Sequence, residues 1–192
     1  MGKYTTAPDA ASGLLRVTAA RDFADVKAGD LGGLIESESN LLQSGNAWVY
    51  GNARVSGNAR VSGNAWVYGN ARVYGDARVL GAARVSGNAR VSGNARVSGN
   101  ARVFGDARVF GDAQVYGDAR VLGVLITATR SDGYVFSLLP CTDGVFRVAA
   151  GCRYFTLTEA RKHWVATRGG TRLGRESLAI LDLFDLHAAE KG

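Results

Sequence analysis

GNAWVYGNARVSGNARVSGNAWVYGNARVYGDARVLGAARVSGNARVSGNARVSGNARVFGDARVFGDAQVYGDARVL, residues 45–122, returns glycine at every sixth position thirteen times. Asn or Asp follows each glycine except at Ala82, Ala stands third and Val fifth. Ala and Val lie two apart, so in an extended segment both face one side while the residue between them faces the other. The interior is therefore Ala and Val, small and β-branched side chains that suit a narrow triangular prism in which each stacks about 4.8 Å from its counterpart in the next turn. Gly followed by Asn or Asp turns the corners, because glycine tolerates positive φ and Asn and Asp visit the left-handed region more readily than other residues. Asn stacked on Asn also offers a side-chain amide ladder. Helical solenoids repeat over several times this length, and a sandwich has no reason to return glycine every six residues.

Written as Val-y-Gly-Asn-Ala-x, the unit resembles the hexapeptide-repeat family, whose pattern is aliphatic, x, x, x, small, x. The likeness is strong over 45–122 and weak over 33–44. It implies a left-handed parallel β-helix, a hand that the spacing alone does not fix. GLIESE (33–38) and SNLLQS (39–44) read as two degraded entry hexads in the same phase, giving about five coils in all.

The flanks supply the caps that a solenoid needs against end-to-end association. Residues 1–12 read as a loose tail, 14–23 as a strand and 26–36 as a glycine-rich entry. Downstream, 124–130, 134–140, 145–150 and 152–157 are β-like and separated by the turn signals Ser-Asp-Gly and Thr-Asp-Gly. Thr156 and Glu159 have capping-box spacing, predicting a helix over about 157–167 stopped by Gly169-Gly170. The stretch from Gly169 through Gly174 reads as an interhelix loop, without Walker lysine or Gly-x-Gly-x-x-Gly spacing. A second amphipathic helix is predicted over about 175–188, with Leu178, Leu181, Leu183 and Leu186 among its apolar positions. The expected fold is mainly β: a left-handed parallel β-helix of about five coils with a C-terminal β-meander plus two helices. Its parts are an N-terminal tail and capping strand (1–32), the helix (33–122) and an α+β cap (123–192).

The whole chain also resembles a group of bacteriophage and prophage proteins in which a "KAGDLGG-I" segment, here Lys27 to Gly33 and then Ile35, leads into GNARV repeats and a small β plus helix tail. That resemblance implies a viral or mobile-element origin.

Composition sets limits. The 26 glycines against 2 prolines exclude collagen and Pro-rich disorder. No run approaches ~18 apolar residues, and Met1 to Arg16 lacks a basic segment followed by an apolar one, so a cytoplasmic protein with no membrane partner is expected. Cys141 and Cys152 flank a hairpin and are expected as reduced packing residues. Two thiols without a nearby histidine pair make a poor zinc site, and neither metal nor cofactor is expected.

Resemblance to hexapeptide acyltransferases implies a histidine base at a subunit interface, yet the coils carry no His; the two histidines are His163 and His187, in the predicted C-terminal helices. Neither has an obvious Asp or Glu orienter in sequence. No catalytic residue is expected.

Information remains in the outward positions. Their three columns are Trp48, Trp66, Arg84, Arg102, Arg120; then Arg54, Arg72, Arg90, Arg108; then Arg60, Arg78, Arg96, Gln114. The repeats hold ten Arg and four Asp, so the whole net charge of +6 lies there. Like charges stacked across strands destabilise a sheet. The columns therefore either serve to bind an anion, or are compensated by stacking on aromatic neighbours, or are copied by duplication regardless of use. Tyr50, Tyr68, Tyr74, Phe104, Phe110 and Tyr116 edge the faces as contact patches for self-association into a dimer or trimer. Trp48 and Trp66 are either a binding hot spot or the seat of the N-terminal segment.

These features favour a non-enzymatic phage-type binding or scaffold protein that self-associates and engages a host protein, nucleic acid or nucleotide, with inhibition of a host defence system as a specific role. The alternatives are a hexapeptide-type acyltransferase-like enzyme and a virion fibre component.

Overall fold

A computed structural model describes residues 2–141 and 143–190. Residues 45–122 form a parallel β-solenoid in which each hexad contributes one two-residue rung, from Trp48–Val49 to Arg120–Val121. Every hexad glycine takes a φ between +63° and +71°. At Gly75 an added Cβ would also lie 3.0 Å from the Gly93 nitrogen in the next turn. Both conformation and stacking therefore require glycine there. Rungs pair with those eighteen residues on, as in Arg54↔Arg72↔Arg90↔Arg108, and bonds such as Arg72 N–H to Ala89 O (2.9 Å) hold them. Three parallel ladders result, one per face of the prism.

The Ala and Val of each hexad are at most 2% exposed. Fully burying a valine contributes roughly 1.5–3 kcal/mol before entropy is counted. Corner amides form ladders: Asn52 donates to Asn70 (3.5 Å) and Asn70 to Asn88 (3.3 Å).

At the N-terminal end the structure corrects two expectations. Of the expected loose tail over 1–12, Met1 lies outside the described residues and 2–12 are not loose: β1 (Tyr4–Pro8) pairs antiparallel with β2 (Leu15–Ala19), which pairs antiparallel with β3 (Leu31–Ile35). The entry hexads are also out of phase. Leu34 pairs with Arg54, Ile35 with Val55 and Leu41 with Val61, each twenty residues apart instead of eighteen. A shift of two keeps the in-out alternation intact, so the same apolar residues still point inward. The surplus falls between Leu41 and Ala47, where Lys3 is inserted. Its Nζ donates to Leu42 O (2.6 Å) and Ala47 O (2.8 Å), and its backbone N–H donates to Gln43 Oε1 (2.7 Å). The exit does the opposite: Arg108 pairs with Val124, sixteen residues on, and Leu125 is buried at the end of the core.

The C-terminal cap is an antiparallel meander of β4 (Ile126–Thr129), β5 (Val135–Pro140), β6 (Phe146–Ala150) and β7 (Arg153–Thr156). One side of it closes the solenoid, through the Ala119↔Cys141 bridge and a bond from Gln114 N–H to Ser137 Oγ (3.3 Å). On its other side lie α1 (Leu157–Arg168) and α2 (Arg172–Ala189), around a second core that includes Phe136, Val148, Trp164, Leu181 and Phe184. The capping box forms as predicted, Glu159 N–H donating to Thr156 Oγ1 (3.2 Å) and Thr156 N–H to Glu159 Oε2 (2.8 Å).

The second helix begins earlier than predicted, because Thr171 caps it by accepting from Gly174 N–H (3.0 Å). Gly174 is therefore helical, not part of a loop; a Cβ there would sit 2.0 Å from Arg168 O. Of the predicted apolar face, Leu181 is buried, while Leu183 and Leu186 are 53% and 67% exposed.

Candidate functional site: three arginine grooves

Each face of the solenoid carries a shallow groove floored by three stacked arginines. On one face Arg54, Arg72 and Arg90 join Ser56 and Tyr74 in a groove of about 370 Å³, with Ser12 and Leu14 of the β1–β2 turn at its rim. On the next, Arg84, Arg102 and Arg120 lie with Tyr68, Ser86 and Phe104 around about 190 Å³. The third, about 310 Å³, holds Arg60, Arg78 and Arg96 with Ser62, Leu80 and Leu42. Each arginine stands on a rung whose neighbours are Ala and Val, so its side chain is forced outward and its stem lies along the face.

The acids of the repeats stand elsewhere. Asp76, Asp106, Asp112 and Asp118 are at the corners, each accepting from the Asn one turn before it: Asn58 (3.0 Å), Asn88 (3.1 Å), Asn94 (2.8 Å) and Asn100 (3.2 Å). Among the described residues no solenoid arginine is in an ion pair. Two unit charges ~5 Å apart repel by roughly 0.8 kcal/mol even in water. A column of them is relieved by an incoming anion. Among the described residues, compensation by aromatic stacking occurs at one place on the solenoid, where Arg120 lies 5.4 Å from the Phe104 ring centre.

The structure places the predicted contact residues unequally. Tyr68, Tyr74 and Phe104 line the grooves, Tyr50 and Phe110 are 52% exposed at the edges, and Arg108 stands exposed on the last full rung of its column. For Trp48 the structure takes the second of its two readings, the seat of the N-terminal segment, and corrects the binding one: it is 1% exposed, with Phe23 and Tyr4 edge-on at 5.3 and 6.5 Å. The chain between β2 and β3 folds over the first turn and turns an outward position into a covered one. Trp66, one turn further, is half-buried beside that cluster. Tyr116 is also committed within the chain. Its hydroxyl donates to Gly151 O and Arg153 O, and its ring packs 5.2 Å from Tyr154.

His163 packs 4.8 Å from Trp164 and 5.1 Å from Phe155, and burial followed by the Arg153 charge holds it below the ordinary imidazole value. His187 lines a groove of about 500 Å³ between the last turn and α2, with Leu122, Val124 and Phe146. Cys141 and Cys152 are free thiols, Cys141 buried 3.1 Å from the Tyr154 hydroxyl. Among the described residues no group of three or more His, Cys, Asp or Glu is placed to hold a metal ion. No helix among them is long and apolar enough to cross a membrane.

Fold and faces define a repeat β-solenoid protein. Residues 53–69, 65–81, 71–87, 83–99, 95–111 and 113–123 match a family model described as YdcK Beta solenoid repeat, so the likeness lies on the solenoid and leaves both caps outside it. No curated protein matches the chain.

Proposed function

We propose that this protein is a non-enzymatic binding rod whose solenoid engages an anionic macromolecule through its arginine grooves. The observation that carries the reading is the segregation of charge: unpaired guanidinium columns on the faces, carboxylates held at the corners by asparagine ladders. Tyr68 and Phe104 beside Arg84, Arg102 and Arg120, and Tyr74 beside Arg54, Arg72 and Arg90, favour a single-stranded nucleic acid, since such strands bind by backbone neutralisation plus base stacking. The likeness to phage and prophage proteins supports a stoichiometric role in the host cytoplasm, with a host defence component as the system acted on. Exposed Leu122, Val124, Leu183 and Leu186 support self-association through the C-terminal end.

Fluorescence anisotropy with labelled single-stranded oligonucleotides across a salt series tests the reading. Binding is expected at low salt, with log K falling linearly against log salt by about 0.7 per phosphate neutralised. Arg84→Gln, Arg102→Gln and Arg120→Gln together should flatten that slope by about 2. Absence of binding at about 50 mM salt, or a slope unchanged by removing each column in turn, refutes it. Light scattering on the eluted protein tests self-association; a monomer at all concentrations rejects that part.

A further inference from the structure

The C-terminal cap contains a second concavity that owes nothing to the repeats. It encloses about 420 Å³ between the β4–β5 turn, the start of β7 and the outer side of α1. Its floor is an arginine already held by its neighbours. Arg130, 4% exposed, gives Nε and Nη2 to the two oxygens of Asp132 (2.8 and 2.7 Å) and Nη1 to Ser177 Oγ (3.0 Å), and lies 4.9 Å from the Tyr134 ring centre. That pair is neutral overall, and the guanidinium holds the Asp132 carboxyl down to about 2.

The walls are different. Arg153, from β7, and Arg168, from the last turn of α1, are exposed and in no ion pair among the described residues. Burial pushes the Tyr134 hydroxyl up while the charges of Arg153, Arg130 and Arg168 pull it down, and burial followed by Arg153 lowers His163. Two guanidinium groups therefore line one concavity whose acid, Asp132, is already paired with Arg130. Arginine forks match the oxygens of a tetrahedral dianion bidentately, which neither a lysine nor a single surface arginine does. The imidazole of His163, which burial and then the Arg153 charge hold below its ordinary value, also stands at the wall.

We propose that this cap pocket binds a phosphomonoester, its phosphoryl group between Arg153 and Arg168 and its organic part in the remaining space beside Tyr134. The volume argues for an organic ester: pockets of roughly 300–1,000 Å³ enclose small molecules, whereas a phosphate ion alone needs far less. This site lies off the solenoid faces, so it stands or falls independently of the macromolecular reading.

Isothermal titration calorimetry on the full-length protein tests it, with inorganic phosphate and a nucleoside 5′-monophosphate as probes. A saturable one-to-one isotherm with a Kd of about 1 mM or tighter is expected for the monophosphate, and weaker binding for phosphate alone. Arg153→Gln and Arg168→Gln should each weaken it by roughly tenfold or more, the loss of one charge-assisted bond pair. The solenoid variant Arg84→Gln/Arg102→Gln/Arg120→Gln should bind the monophosphate as the parent does. Equal affinity for both probes rejects the organic part of the proposal. No saturable binding of either probe by a folded protein, binding unchanged in both cap variants, or binding lost in the solenoid variant overturns the site. Circular dichroism of each variant separates loss of the site from loss of the fold.

Discussion

The solenoid and the C-terminal cap are both rich in arginine, and the paired arginines of the cap are used in the opposite way to those of the solenoid. In the cap Arg130 is bound to Asp132, Arg147 to Asp143 (2.9 Å) and Arg161 to Asp182 (2.6 Å), each fastening a turn or a helix. In the solenoid the backbone ladders and the Ala/Val stack hold the structure, and the arginines fasten nothing. Where the backbone repeats, side chains on the faces are released from structural duty and are free to serve a ligand. Where each strand and helix is unique, the same residue type is needed to specify the packing.

Arg130→Ala is the strongest way to break this contrast. It removes the cationic partner of Asp132 and one of the two bonds of buried Ser177, and because Asp132 stays partly solvated the expected loss is about 2 kcal/mol, below that of a fully buried pair. Arg90→Ala on the solenoid should stay within ~0.5 kcal/mol. Urea denaturation of the two variants checks it; equal losses would show that the solenoid arginines are structural after all.

Lys3 is the N-terminal exception, a cation that is structural and has no acidic partner among the described residues. Burial, helped by the charge of Arg21, lowers its pKa from 10.5 to about 8. The folded chain then releases this proton near pH 8 while the unfolded chain keeps it to 10.5, so the unfolded state binds more protons between them and stability from this group rises with pH. Tyr4, pushed up to about 12 by burial, works in the opposite sense once pH passes 10. The clean window is therefore pH 8 to 10. Urea midpoints of the parent, compared with Lys3→Met, should rise across it, and parallel profiles would show that Lys3 keeps its proton in the fold.

The regions also differ in how far their sequence can be read. The solenoid was legible because thirteen copies of one hexad repeat one solution, and the meander and helices because Ser-Asp-Gly, Thr-Asp-Gly and the Thr156/Glu159 box are local signals. The phase of 33–44 was not, since a shift of two leaves alternation unchanged. Periodicity left Trp48 open between a hot spot and a seat for the N-terminal segment, because it reports which side of a strand a residue occupies, not what later folds over it. Lys3 carries no pattern at all; its role arises from a tertiary contact with residues about forty positions away. The α2 boundary was missed because Gly174 looks like a turn residue, while its use is close helix approach. The cap pocket gathers Arg130, Arg153, His163 and Arg168, whose spacing obeys no motif.

The smallest expected effect lies in the corner ladders. Asn88 accepts from Asn70 (3.3 Å) and donates to Asp106 (3.1 Å), so it has two jobs, whereas among these bonds Asp106 only accepts. Asn88→Asp keeps an acceptor for Asn70 but stacks a carboxylate on Asp106 and removes the donor between them. Like charges opposite one another across strands cost roughly 0.2–1 kcal/mol. Asp106→Asn preserves an acceptor for Asn88 and should be neutral. The asymmetry is expected to widen at low ionic strength, where surface charges are less screened. Denaturation midpoints of the two variants at low and high salt measure it. A matched pair of midpoints would mean that the ladder carries no direction and that carboxylates at positions 76, 106, 112 and 118 are there for net charge alone.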